Sequence, residues 1–178
     1  MKTRTGPTPI RRTGPARRAP YQSLLRALGT YLDAFGATSI CLIELPDGFA
    51  VRYQPPGDTL GIEARHFSFD VLHARDRLMR RNRGETDAEE TSNGYAALLR
   101  ALGRDLDVAE AHTLTIDEVE DLLVVSYVAI ATPSASPSQK RLLLVGPDER
   151  ARMLQRARGN RRSPTAVRQV EDEIRLIG

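Results

Sequence analysis

An internal duplication is the feature that most constrains this sequence. Residues 21–54 align without a gap with residues 95–128, and 14 of the 34 aligned positions are identical. Two unrelated segments of ordinary composition would share roughly two or three residues over that length. The longest identical run is LLRALG, which occurs at Leu24–Gly29 and again at Leu98–Gly103. The sequence therefore predicts two tandem copies of one module.

The match extends well beyond this run. A second repeated motif, RxRxxxRxRG, occupies residues 75–84 and 150–159, one residue out of the first register. Between the two matched blocks, residues 54–65 and 129–140 differ in sequence but both are rich in proline, which is typical of a loop. The remaining identical pairs of the first block are Tyr21/Tyr95, Leu32/Leu106, Asp33/Asp107, Ala37/Ala111, Glu44/Glu118, Asp47/Asp121, Val51/Val125 and Tyr53/Tyr127.

Each copy is expected to form a helix, three strands and a helix, the order αβββα. Leucines at helical spacing mark the first helix, which Gly36 and Ala37 end in the first copy. The strand Ser39–Leu45, a Pro-Asp-Gly turn and the alternating segment Phe49–Tyr53 predict a hairpin. His66–Asp70 and Arg141–Val145 are the expected third strands.

The ends of the closing helices carry recognisable signals. Asp70 is the expected N-cap in the first copy, and Pro147 is the expected first helical residue in the second. Gly84 and Gly159 lie where a C-terminal cap belongs. In the second hairpin Glu120–Leu122 replaces the glycine-containing turn, which predicts a longer or differently shaped connection.

The fold class expected from this pattern is α+β. We expect the two copies to pack as an internal pseudo-dimer with a mostly antiparallel sheet, because a single three-stranded module leaves a face or an edge open. The expected organisation is a disordered basic tail at 1–20, the first repeat at 21–84, an acidic linker at 85–94, the second repeat at 95–159 and a C-terminal helix within 160–178, which starts at Ser163–Pro164.

Positive charge is concentrated in the tail. The first 20 residues hold six basic residues and no acidic one, so the rest of the chain, with 20 basic and 23 acidic residues, has a net charge of −3. A basic tail of this kind gives salt-dependent affinity for nucleic acid without sequence preference. The tail arginines that would carry this binding are Arg11, Arg12, Arg17 and Arg18.

Motifs for common chemistry are absent from the sequence. There is no GxxxxGK[ST], GxGxxG or GxSxG, and the three histidines lack the spacing of metal ligands. The αβββα order is also that of PD-(D/E)xK nucleases, but after Pro46-Asp47 the strand Ala50–Tyr53 has neither the second carboxylate nor the lysine. The single cysteine, Cys41, is expected to be a buried small hydrophobe. We expect no catalytic residues, no metal and no cofactor.

Two sets of duplicated charged residues are candidates for a role. The repeated acids, at positions such as Glu44 and Glu118, are expected to be structural or neutral. The duplicated arginines Arg77 and Arg81, and Arg152 and Arg156, are spaced four apart on one helical face. They could form a basic surface for a phosphate backbone or an acidic protein, or they could be solvated residues that interact favourably with the helix dipole.

The pattern of the first 35 residues of each copy resembles a known group of modules. Leu24–Gly29, Leu32-Asp33, Gly36-Ala37 and Leu45–Tyr53 carry a resemblance to the αβββα modules of the secretion-chaperone-like group, which includes the YbjN-type proteins. The resemblance implies a protein without catalytic activity that dimerises and presents a sheet or groove to a partner chain. The tandem copies depart from the usual single module.

The leading hypothesis from the sequence is a cytoplasmic protein-interaction protein, adaptor or chaperone-like, that does not bind a membrane. It would be a monomer with internal pseudo-twofold symmetry or a homodimer. The alternative is a nucleic-acid-associated protein that uses the tail and the duplicated arginine-rich helices.

Overall fold

Ten helices and strands account for most of the chain that is described in the computed structural model, namely residues 20–57, 61–82, 94–129 and 139–159. The predicted tail, apart from Pro20, the linker 85–94, apart from Gly94, and the C-terminal helix within 160–178 lie outside these residues. In chain order the elements are α1 (Tyr21–Phe35), β1 (Ile40–Leu45), β2 (Gly48–Tyr53), β3 (Glu63–Ser68), α2 (Phe69–Arg81), α3 (Tyr95–Val108), β4 (Ala111–Val119), β5 (Leu122–Ala129), β6 (Gln139–Val145) and α4 (Pro147–Gly159).

The strands form one six-stranded antiparallel sheet in the order β3-β2-β1-β4-β5-β6. The expected α+β class is therefore confirmed, with four helices and six strands among the described residues. The two halves of the chain, α1 to α2 and α3 to α4, meet where β1 pairs with β4. In this junction Leu42 lies opposite Ile116, and these two positions also align with each other in the 74-residue repeat of the sequence.

All four helices pack on one face of the sheet. Alternate residues of each strand point to the same side, so one set enters the core with the helices and the other set lies on the opposite face. Leu42, Phe49, Ile116 and Val125 share a single core cluster with the leucines of α1 and α3. The leucines of the repeated LLRALG run are thus core residues, as the helical spacing predicts.

The closest contact between the halves is the crossing of α1 and α3. A Cβ atom added to Gly29 would lie 2.5 Å from Ala96 Cα, and one added to Gly103 would lie 2.7 Å from Gln22 Cα. Both glycines of the repeated run therefore permit a backbone approach that any side chain would block. Each half contributes one such glycine to the same crossing.

Several boundaries differ from the sequence-based expectation. Both third strands begin earlier than predicted, at Glu63 and Gln139. The N-cap of α2 is Ser68, whose hydroxyl accepts a hydrogen bond from the Val71 backbone N–H, and Asp70 lies in the first turn instead. This helix ends at Arg81, before Gly84, which lies outside the described residues; α4 begins at Pro147 and ends at Gly159 as predicted.

The β4–β5 connection differs from the β1–β2 connection in shape and not in length. It has two residues, Glu120 and Asp121, the same number as the β1–β2 connection. Without a glycine it is closed by Glu120, which adopts a φ of 55° in the left-handed region, whereas neither Pro46 nor Asp47 has a positive φ.

One further expectation was wrong. Cys41 is half-buried rather than buried. It faces away from the core, because Ile40 and Leu42 take the two core-facing positions beside it.

Candidate interaction surfaces

Each half caps the first helix of the other half. Asp33, at the end of α1, accepts hydrogen bonds from the backbone N–H groups of Tyr95 and Ala96 at the start of α3. Asp107, at the end of α3, accepts them from Tyr21 and Gln22 at the start of α1. The cap positions themselves, Pro20 and Gly94, make no side-chain capping bond. These contacts satisfy helix N-terminal donors that would otherwise lack an acceptor.

A second reciprocal contact uses the repeated tyrosines and glutamates. Tyr21 donates its hydroxyl hydrogen bond to Glu44, and Glu44 also accepts from the backbone N–H of Leu114 in the other half. Tyr95 donates in the same way to Glu118, which accepts at 3.3 Å from the backbone N–H of Ile40. The repeated glutamates are therefore structural, one of the two roles expected for them.

Burial of Tyr95 has an electrostatic consequence. Loss of solvent around the hydroxyl, and then its hydrogen bond to Glu118, raise the pKa of Tyr95 well above the ordinary value. Glu118 also binds the guanidinium of Arg150 at 2.7 Å. The phenol thus stays neutral and continues to donate its hydrogen bond throughout the neutral pH range.

The closing helices are anchored differently in the two halves. On α2, Asp76 is buried and binds Arg26 of α1 at 2.9 Å and Arg80 of its own helix at 2.7 Å. On α4, the position that aligns with Asp76 is Ala151. There the anchoring ion pair is Arg150 with Glu118 of β4. In the first half the ion pair joins the closing helix α2 to helix α1, and in the second half it joins the closing helix α4 to strand β4.

The sheet face opposite the helices, which we call the open face, carries exposed apolar side chains in its second half. Residues on it keep large exposed fractions: Val119 54%, Leu142 56% and Leu144 55%. Val124 of β5 lies between them, opposite Asp117 on one side and Leu144 on the other. Among the described residues no helix covers these side chains.

The first half of the open face has a different character. β2 and β3 present Ala50, Arg52, Ala64 and His66 there, at positions that the strand register places side by side. Arg52 and His66 are exposed. β1, beside the second half, adds the exposed apolar residues Ile43 (47%) and Leu45 (36%). In the second half, Thr115, Asp117 and Ser126 are polar residues of the same face. The open face is therefore mixed, with its most polar part on β2 and β3 and its most exposed leucines on β6.

The four described arginines of the predicted binding site lie on two separate helices. Arg77 and Arg81 on α2 are exposed, and neither forms an ion pair with any residue that the structure describes. Arg152 and Arg156 on α4 both bind Glu149 of the same helix, at 3.4 Å and 2.7 Å. Because α2 packs beside α1 and α4 beside α3, the two pairs lie on opposite flanks of the helix layer. Arg11, Arg12, Arg17 and Arg18 are outside the described residues.

The described residues contain neither a metal-binding cluster nor a membrane-spanning helix, and no related protein is found. Within residues 20–57, 61–82, 94–129 and 139–159, no group of three or more histidine, cysteine, aspartate or glutamate side chains could hold a metal ion. No helix in the same residues is long and apolar enough to cross a membrane. Comparisons with protein-family models, curated proteins and solved structures find no match for this chain.

The second half of the open face was not among the predicted site residues. The segment Leu142–Leu144 contains three consecutive leucines, which do not show which face is buried. A signal was nonetheless present, because Leu122–Val125 and Leu142–Val145 are apolar at odd and even positions alike. When a sheet is covered on one side only, apolar and polar residues alternate along each strand. A strand that is apolar at every position therefore indicates that its second face is also covered by something.

Proposed function

We propose that this chain is a non-catalytic protein-interaction protein, adaptor or chaperone-like, whose two tandem αβββα modules form an internal pseudo-dimer. The second half of the open face is its docking surface. The observation that carries the proposal is the exposure of the apolar side chains Val119, Leu142 and Leu144 on a sheet face with no covering element among the described residues.

The pseudo-dimer is supported by contacts that occur twice. The caps of Asp33 and Asp107, the backbone hydrogen bonds that Glu44 and Glu118 accept from the other half, and the two crossing glycines all occur at aligned positions of both halves. An isologous interface requires this pattern, because each residue meets the counterpart of its own partner. These contacts lie between the two halves, whereas the open face has no covering element among the described residues.

The chemistry of the open face favours a protein over other ligands. Burial of exposed apolar surface contributes about 25 cal/mol per Å2, so leucines and valines gain most from contact with another apolar surface. Contiguous apolar patches of this kind on soluble proteins commonly mark protein interaction sites. The acidic turn Glu120-Asp121 at one end of the patch and Lys140 at the other supply a charged rim that limits where a partner can lie.

Site-specific photo-crosslinking tests this proposal. A photoreactive phenylalanine derivative replaces Leu144 in the full chain, and in a matched control it replaces the exposed Gln155 of α4. After irradiation in an extract of the source cells, we expect a discrete protein adduct from position 144 and none from position 155. A Val119→Asp change in the same chain should abolish the adduct.

The outcome has a further control on the helix side. Leu78 of α2 is 53% exposed, close to the value for Leu144, so Leu78→Asp should leave the adduct at position 144 unchanged. Equal adduct yields from positions 144 and 155, or an adduct that persists with Val119→Asp, would contradict the proposed docking surface.

A second candidate function is nucleic-acid binding, favoured by the exposure of Arg77 and Arg81. Electrophoretic mobility shifts with duplex DNA and RNA at about 50 mM salt test it. Under this candidate, Arg77→Ala with Arg81→Ala weakens binding more than the matched pair Arg152→Ala with Arg156→Ala, whose guanidiniums share the carboxylate of Glu149. Deletion of residues 1–20 should weaken binding further, and no retention at this salt concentration rejects the candidate.

A further inference from the structure

The two edges of the sheet differ in how well they are protected against pairing with another strand. At one edge, β3 exposes Glu63, Arg65 and His66, and Glu63 binds Arg65 at 3.0 Å. Charged side chains of this kind discourage strand addition, because pairing would crowd or desolvate them. The β3 edge is therefore blunted.

The β6 edge has the opposite character. This strand has seven residues, Gln139–Val145, with two exposed cations, Lys140 and Arg141, at its start, no acidic residue, and Leu142 and Leu144 more than half exposed. Its inner side pairs with β5 along its whole length, and no described residue pairs with its outer side. An exposed apolar strand at a sheet edge is a template for a further strand.

We propose that β6 pairs with β6 of a second copy of this chain, antiparallel and centred on Leu142, to give a continuous twelve-stranded sheet. The inference concerns a strand edge and does not depend on the docking surface proposed above. The chain already contains a junction of this kind, since β1 and β4 join the two halves antiparallel about the pair Leu42 and Ile116. Closed twofold symmetry limits the assembly to two copies, because the blunted β3 edges remain outermost.

Charge excludes the registers centred on Lys140 or Arg141, and the Leu142-centred register that we propose avoids both. With Leu142 opposite Leu142 of the other copy, Lys140 lies opposite Leu144 and Arg141 lies opposite Leu143, so no cation faces a cation. A pairing centred on Arg141 would place two guanidiniums directly opposite each other, which is unfavourable. In the Leu142-centred register the side chains of Leu142 and Leu144 from both copies lie on the same face. The second halves of the two open faces then form one continuous surface.

Disulfide trapping tests both the edge and the register. In a Cys41→Ser chain, Leu142→Cys places the new cysteine opposite the same cysteine of the second copy. Their Cα atoms would lie about 4.5–5.5 Å apart, a distance that a disulfide can bridge. Mild oxidation should then give a covalent species of twice the 19.7 kDa chain mass. The Lys140→Cys chain and the Leu144→Cys chain should each form no covalent dimer when oxidised alone. They should form a disulfide with each other when the two chains are mixed.

The same pairing predicts the behaviour of the unmodified chain. Sedimentation equilibrium should show a reversible dimer of the wild type. Leu142→Glu should weaken that dimer roughly tenfold or more, because two carboxylates would lie opposite each other in place of two leucines. The matched control Leu78→Glu, at an equally exposed position on α2, should leave the dimer unchanged, and circular dichroism should confirm that both variants fold.

Several outcomes would overturn the second copy as the occupant. One is a monomeric wild type at all concentrations, and another is self-crosslinking of Leu144→Cys as efficient as that of Leu142→Cys. Crosslinking of a Leu78→Cys control to the same extent would show random collision. In a further outcome, the wild type is monomeric but a chain that ends at Gly159 dimerises. That result would mean that residues 160–178 of the same chain cover the β6 edge, and it would reject the proposal.

Discussion

The two halves of the molecule are alike where they contact each other and different where they face outward. The contact between the halves uses a glycine, an aspartate, a tyrosine and a glutamate from each half, and all four are identical in the aligned sequence. The open face is more polar in the first half and carries its most exposed leucines in the second. The closing helices are also fixed by unrelated ion pairs. The residues through which the halves meet are therefore the same in both copies, whereas the sheet face and the helix anchors have diverged.

The largest expected effect is on the ion pair that only the first half has. Asp76→Ala removes the carboxylate that binds Arg26 and Arg80, and the Asp76 and Arg26 side chains are 8% and 10% exposed. Breaking a buried pair by removing one partner costs about 3 kcal/mol or more. Urea unfolding should show this loss of stability, whereas Asp70→Ala, at an exposed position in the first turn of α2, should cost only about 0.5 kcal/mol. Similar costs for the two variants would remove this distinction between the halves.

The helix crossing is expected to respond equally from both sides. Gly29→Ala and Gly103→Ala each place a Cβ against the backbone of the opposite helix, so each should destabilise the protein by about 2 kcal/mol. Gly146→Ala is the matched control, because its Cβ would meet nothing within 4 Å. A cost confined to one of the two crossing glycines would show that the halves approach each other asymmetrically.

The reciprocal caps should contribute equally to stability. Asp33→Ala and Asp107→Ala each remove the acceptor for two backbone N–H groups and should cost about 1 kcal/mol. Asp33→Asn and Asp107→Asn should recover only part of this loss, because asparagine has one acceptor oxygen and its NH2 group would face the second backbone donor. If alanine and asparagine variants are equally unstable in urea, the capping geometry is not the source of the effect.

The smallest effect is a dependence on alkaline pH. Because the pKa of Tyr95 is raised in the folded state above its ordinary value of 10.0, the protonated phenol favours folding. This contribution is complete below about pH 10 and falls as the pH rises further, since the unfolded chain then loses the proton first. Tyr95→Phe should therefore show a flatter decline of unfolding free energy above about pH 10 than the wild type. Parallel declines would argue against a buried Tyr95 hydroxyl.

Much of the fold was predictable because it depends on local pattern. The leucine spacing gave α1 and α3, and the alternation in Phe49–Tyr53 gave β2. The cap of α2 was misplaced because Ser68 and Asp70 are both good capping residues, and only the strand pairing of β3 decides between them. The β4–β5 turn is differently shaped, one of the two predicted alternatives, and it needs no extra residue because Glu120 adopts a left-handed backbone.

The candidate site was harder to predict for a physical reason. Arginine-rich motifs are visible in a sequence, whereas an apolar face is visible only when the strand order is known. Cys41 illustrates the difficulty, because its apolar neighbours Ile40 and Leu42 are buried while Cys41 lies on the other side of the strand. Which apolar residues are left uncovered depends on where the helices pack, and that is a property of the whole sheet.

The exchange of helix caps has a consequence for how the protein unfolds. Neither α1 nor α3 has a capping side chain of its own, since the cap positions are Pro20 and Gly94, and each depends on an aspartate that is positioned only when the other helix is formed. Fraying of one half withdraws the acceptor from the other half. The exchange therefore links the two halves thermodynamically, and we expect the calorimetric and van't Hoff enthalpies of unfolding to coincide.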